Sequence, residues 1–212
     1  MLTVLIDYGA GNLHSAEKAF QRMAVETDAG DILVTDKAED VARADRIVLP
    51  GDGAFPACME ALQADAALFE ALCDAVQTRA VPFLGICVGM QLMARAGFEY
   101  EEVAGLGWID GEVHRISPTE PGLKVPHMGW NDLFIDQPHK VLEGLSTGDH
   151  AYFVHSYQME MADPAQLLAH CDYAGAVTAV VGRDTMVGTQ FHPEKSQSAG
   201  LRLIANWLNW RP

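Results

Sequence analysis

Basic residues are scarce in this sequence: 14 Lys and Arg stand against 29 Asp and Glu, a formal net charge of −15 over 212 residues. Nucleic-acid affinity rests largely on Lys and Arg meeting phosphates, so this balance argues against a nucleic-acid binder. It suits a protein whose partner offers a basic surface. Cysteine is sparse as well. Cys58, Cys73, Cys87 and Cys171 form no C-x-x-C pair and lack zinc-knuckle spacing, so no metal site is expected and nothing calls for disulfides. Long apolar runs are missing, and none approaches the ~20 residues that a membrane helix needs. The opening MLTVLIDYGAGN lacks the basic stretch and apolar core of a signal peptide. A reducing cytoplasm is therefore the expected setting, and there a cysteine stays a thiol. No repeat, low-complexity tract or linker interrupts the chain, so residues 1–212 are read as a single domain.

What is present is an ordinary globular mix, 49% hydrophobic and 20% charged. The first half alternates short apolar runs with amphipathic stretches. Leu2–Ile6, Asp31–Thr35, Arg46–Leu49 and Val81–Ile86 read as strands. Residues 12–25 read as a helix with Asn12 as N-cap, residues 56–79 as helix broken near Asp65, and residues 88–96 as a further helix. Such alternation implies parallel strands, right-handed crossovers and helices on both faces. After about residue 105, glycine, proline and short β-like runs take over. AVTAVVGRDTMVGTQF reads as a hairpin turning near Gly182–Arg183–Asp184, and residues 196–210 as a closing amphipathic helix. The expected fold class is α/β: a mostly parallel central sheet flanked by helices, extended by antiparallel strands in the C-terminal half.

Candidate chemistry begins at VPFLGICVGMQL, residues 81–92. Cys87 sits where a strand gives way to a helix, with Gly85 and Gly89 two residues to either side. That is the pattern of a nucleophile elbow, whose tight turn tolerates almost no side chain at those flanking positions. A buried cysteine that merely fills a core fits the same segment. A thiolate nucleophile needs a base and a group that orients it. His192 follows the apolar run MVGTQF and opens HPEKS, which places it at a strand end, as Cys87 is. Open α/β sheets gather their sites at strand carboxyl ends. Glu194 lies two residues on, across a stiff proline, where a carboxylate can fix the imidazole tautomer. PGDG, residues 50–53, ends another strand. Its backbone amides at Asp52 and Gly53, with that of Val88 after the nucleophile, could stabilise an oxyanion; an ordinary turn fits the tetrapeptide too.

Other chemistries fail on particular residues. The H-x-E of a zinc deaminase requires a downstream P-C-x-x-C, and no cysteine follows Cys171. His150 and His155 are five apart in a strand-like run and face opposite sides, a poor metal pair. DYGAGN is half a dinucleotide fingerprint, but His14 stands where the third glycine belongs.

Taken together, GICVGMQ, HPEKS and PGDG resemble the class I (triad) glutamine amidotransferases, a family of flavodoxin-like fold, over essentially the whole chain. The resemblance implies that Cys87 attacks the side-chain amide of L-glutamine, that His192 moves the proton, and that Glu194 orients His192. It implies that Gly53 and Gln91 hold the substrate, that Glu99 meets its α-amino group, and that His155, Ser156 and Tyr157 line the pocket. Where the family commonly has P-G-V-G, this chain has Asp52. Its backbone amide can still serve, with the carboxylate expected to point away. No cofactor is implied.

DYGAGNLHS, PHMGWN (126–131) and YFVHSY (152–157) resemble, within the family, the branch that serves histidine biosynthesis. A chain of 212 residues is too short to include a (β/α) barrel of roughly 250. The resemblance therefore implies a separate glutaminase that forms a heterodimer with a cyclase subunit and passes it ammonia. Asn12, Trp130 and Lys195 match positions that face that partner, and low activity is expected of the chain alone. A glutaminase serving another synthase, a free-standing γ-glutamyl hydrolase or cysteine peptidase with the same triad, and a redox-sensing module remain as alternatives. The last has no need of Gln91 or of the His192–Glu194 pair.

Overall fold

The computed structural model describes residues 1–11, 13–120 and 122–212. The N-cap role expected of Asn12 lies outside the described residues. The first half runs β1 (Leu2–Ile6), α1 (Leu13–Thr27), β2 (Asp31–Thr35), α2 (Ala38–Ala42), β3 (Arg46–Gly51), α3 (Phe55–Ala64), α4 (Ala66–Cys73), β4 (Phe83–Cys87) and α5 (Val88–Gln91). The rest supplies short strands β5 (Ala96–Gly97) and β6 (Val103–Ala104), then β7 (Gly111–Arg115), β8 (His127–Asp132) and β9 (Phe134–Ile135). It continues with β10 (His150–His155), β11 (Tyr157–Met161), β12 (Leu167–Asp172), β13 (Ala176–Arg183) and β14 (Met186–Thr189), and ends with α6 (Gln197–Asn209).

The main sheet has the order β2-β1-β3-β4-β14-β13-β12-β9. From β2 to β14 its neighbours are parallel; from β14 to β9 they are antiparallel. Parallel strands covered on both faces read as unbroken apolar runs, and Val4, Leu5, Ile6, Ile47, Val48, Leu49, Phe83 and Leu84 are all fully buried. The consequence for function is one of placement. β3, β4 and β14 are adjacent and parallel, so the chain leaves all three at the same edge of the sheet.

Helix α1 packs against α6, with Phe20 edge-on to Trp207 at 5.9 Å between ring centres. The expected break at Asp65 is an N-cap: its Oδ1 accepts from the N–H groups of Ala67 (2.9 Å) and Leu68 (3.1 Å), which starts α4. The expected helix over 88–96 is shorter, because α5 stops at Gln91. The carbonyls that would extend it are taken by the next segment. Leu92 O accepts from Leu106 N (2.8 Å), Met93 O from Trp108 N (2.9 Å), and Ala94 O from Gly107 N (3.0 Å). A second sheet, β11-β7-β5-β6, and a two-stranded ribbon, β10-β8, stand beside the main sheet and wall the site.

Candidate active site

Cys87 is the last residue of β4 and adopts φ 55°, ψ −111°. A side-chain-bearing residue held in that region costs on the order of 1–3 kcal/mol and persists only where its surroundings dictate it. The surroundings here are glycines. A Cβ on Gly85 would lie 2.5 Å from Gly89 O, and one on Gly89 would lie 1.9 Å from Leu49 O. The turn closes only because both positions lack side chains, and it holds the Cys87 thiol at the carboxyl edge of the sheet.

His192 enters the same edge from the end of β14. The loop that carries it is stapled by its own polar residues. Thr189 Oγ1 donates to Phe191 O (3.0 Å), and Ser196 Oγ donates to His192 O (2.7 Å) while accepting from Tyr152 N (2.9 Å). His192 N–H donates to Tyr152 O (3.1 Å), tying the loop to β10. The imidazole Nδ1 lies 2.8 Å from Glu194 Oε1, with both side chains almost fully buried. Burial pushes the imidazole pKa down, but hydrogen bonds to Cys87 and Glu194 and their negative charge outweigh it and hold it up, at about 10. The pair thus holds His192 as imidazolium beside the Cys87 sulfur.

In front of Cys87 lies a cavity of about 220 Å³. It is lined by Asp52, Gly53, Cys87, Val88, Gln91, Glu99, His155, Ser156 and Tyr157, together with Pro126 and Val154. The pocket residues expected from the sequence thus meet in one place, from four separate stretches of chain. Val88 opens α5, so its N–H has no acceptor within the helix and is available to the cavity. Asp52 is exposed at the cavity's wall, and its carbonyl accepts from Cys58 Sγ at 3.7 Å. Glu99 has a structural task as well, since its Oε2 accepts from Phe55 N (2.8 Å) at the start of α3. Gln91 Nε2 donates to Tyr157 O and to Gln190 Oε1, both at 3.0 Å.

Trp130 and Lys195 lie away from the cavity, Trp130 48% exposed on β8 and Lys195 half-buried beside Glu194. His150 is exposed and pairs with Asp132 at 2.7 Å, whereas His155 is buried, as their odd spacing requires. Sequence reasoning misses Gln190 and Ser196. The available signal is a polar Gln directly continuing the buried strand β14, a residue type seldom buried without a partner. Helix α5, with four residues, offers little macrodipole at Cys87.

The family model for "Glutamine amidotransferase class-I" matches residues 4–209. The "Imidazole glycerol phosphate synthase subunit HisH" of Cereibacter sphaeroides is 69% identical over 212 residues, covering 100% of both chains. The protein of the same name from Ruegeria pomeroyi is 63% identical, again over 100% of both. Among solved structures, a glutamine amidotransferase superposes with a TM-score of 0.72 at 18% identity, covering 98% of this chain and 99% of its own.

Proposed function

Because this chain belongs to the class I glutamine amidotransferases, we propose that it is the glutaminase subunit of an imidazole glycerol phosphate synthase, hydrolysing L-glutamine to L-glutamate and ammonia. The observation that carries the reading is the Cys87 elbow at positive φ, facing a cavity of amino-acid size and backed by the buried His192–Glu194 pair. We read the chain as one amidotransferase domain working in a reducing cytoplasm. In that reading the Cys87 thiolate attacks the side-chain carbonyl carbon of glutamine. The N–H groups of Val88, Gly53 and Asp52 receive the developing oxyanion. His192, oriented by Glu194, gives its proton to the departing nitrogen, which leaves as ammonia. A γ-glutamyl thioester remains on Cys87. Neutral His192 then takes a proton from water, the hydroxide displaces the thiolate, and glutamate departs. Gln91, Glu99 and residues 155–157 hold the substrate around this centre.

Free ammonia is protonated and lost in water, which favours coupling hydrolysis to a docked acceptor enzyme. The partner in this reading is the cyclase subunit, joined as a heterodimer. Support comes from the exposed apolar side chains of Leu123, Met128 and Trp130, which border one open depression of about 840 Å³. The test is glutamine hydrolysis with and without the cyclase subunit and its nucleotide, for wild type and Cys87→Ala. Activity that rises in the complex and disappears in Cys87→Ala supports the proposal. Cys87-dependent hydrolysis indifferent to the cyclase points to a sister glutaminase or a free-standing hydrolase.

A further inference from the structure

Gln190 touches the nucleophile yet has no part in the chemistry above. It is fully buried, and its Nε2 donates to Cys87 Sγ at 3.7 Å. It cannot turn alone, because its Oε1 accepts from Gln91 Nε2 at 3.0 Å. Gln91 in turn is held by the Tyr157 carbonyl at 3.0 Å, which also accepts from His155 Nδ1 at 2.9 Å. That last bond fixes a tautomer: the proton sits on His155 Nδ1, and Nε2 must accept. The neighbour of His155 Nε2 is His127 Nδ1 at 3.1 Å, which must therefore donate. His127 Nε2 is left as an acceptor and meets Asn131 Nδ2 at 3.2 Å, while Asn131 also donates to Asp172 O at 2.8 Å. The result is an unbroken hydrogen-bonded chain, buried from Gln190 to His127 and half-buried at Asn131, with every donor and acceptor role determined.

Its outer end is anchored. The His127 ring stacks on Phe153 and on Tyr173, with ring centres 4.8 and 4.1 Å away. His127 and Asn131 alternate along β8 with Met128 and Trp130, which are 62% and 48% exposed, and all four border the same open depression. One strand thus carries both the exposed apolar side chains and the outer end of the hydrogen-bonded chain.

We propose that Gln190 is a positioning residue for the Cys87 thiolate, and that Asn131, His127 and His155 form a strut that transmits to it the placement of β8. This rests on the reading of Cys87 as nucleophile. An N–H aimed at a thiolate stabilises the charged form, and a fully satisfied buried network sets that donor rigidly. Whatever seats against Met128 and Trp130 acts on the strand that anchors the strut.

The test uses the complex with the cyclase subunit and two readouts: steady-state glutamine hydrolysis, and the rate of Cys87 alkylation by iodoacetamide at neutral pH, read by peptide mapping. Gln190→Leu removes the donor. His127→Phe keeps the ring stack but removes both hydrogen bonds, and His127→Asn restores an N–H towards His155. The first two are expected to slow alkylation and lower kcat about tenfold with KM changed less than about twofold, and His127→Asn to recover most of the loss. Asn131→Ala, at the half-buried end, is expected to give a smaller loss in the same direction and keeps the test decisive should His127→Phe not fold. Wild-type alkylation rates in Gln190→Leu, or in folded His127→Phe or Asn131→Ala, would overturn the strut. Alkylation needs no turnover, so an intact contrast among variants with no Cys87-dependent hydrolysis in wild type would instead overturn the functional reading.

Discussion

At Cys87, backbone and side chain are set by different neighbours. Gly85 and Gly89 allow the turn, while His192 and Gln190 address the sulfur. The glycines were legible in the sequence because a tight turn advertises itself by missing side chains. Gln190 was not, because its role depends on partners 99 and 103 residues away. Glu194→Gln tests the orienting carboxylate, since an amide can present an N–H to Nδ1 and select the wrong tautomer. The expected result is a loss of about 10²-fold or more in kcat with glutamine KM little changed, measured in the complex. The strut histidines carry a pH signature of their own. Burial lowers His127 to about 4 and His155 to about 3. Their unfolded counterparts titrate near 6.5, so the unfolded chain binds more protons at acid pH. Stability is expected to fall as pH drops from about 6.5 towards 4. Denaturant midpoints across that range should show the slope, and it should flatten in His127→Phe; an unchanged slope would mean that His127 is not held neutral.

Among the elements, the parallel half was readable from unbroken apolar runs, and its register explains why three strand ends share one site. The irregular half was less so. The length of α5 was overestimated because nothing local forbids helix through Ala96; what ends it is main-chain pairing with residues 106–108, a long-range decision. The short α2 gave no periodic signal over its five residues. The break at Asp65 was readable because a cap is local. Asp65→Ala should remove both hydrogen bonds to the first turn of α4 and cost about 1 kcal/mol. Urea unfolding reads this directly, and hydrolysis by the folded enzyme should stay at the wild-type rate.

For the molecule as a whole, a net charge of −15 and an exposed Met128–Trp130 edge suit the proposed docking on a partner with a basic surface around a small apolar centre. Trp130→Ala is expected to weaken cyclase binding tenfold or more, read by titration calorimetry, as loss of a buried aromatic anchor does. Association of the wild-type chain should slow with added salt, as steering between opposite charges requires. The measurement that bears most directly on the account is intact-mass analysis of the complex, acid-quenched during turnover of L-glutamine and followed by peptide mapping. A γ-glutamyl adduct is expected on Cys87, absent from Cys87→Ala together with all hydrolysis. An adduct on Cys58, Cys73 or Cys171, or hydrolysis that survives in Cys87→Ala, would contradict it.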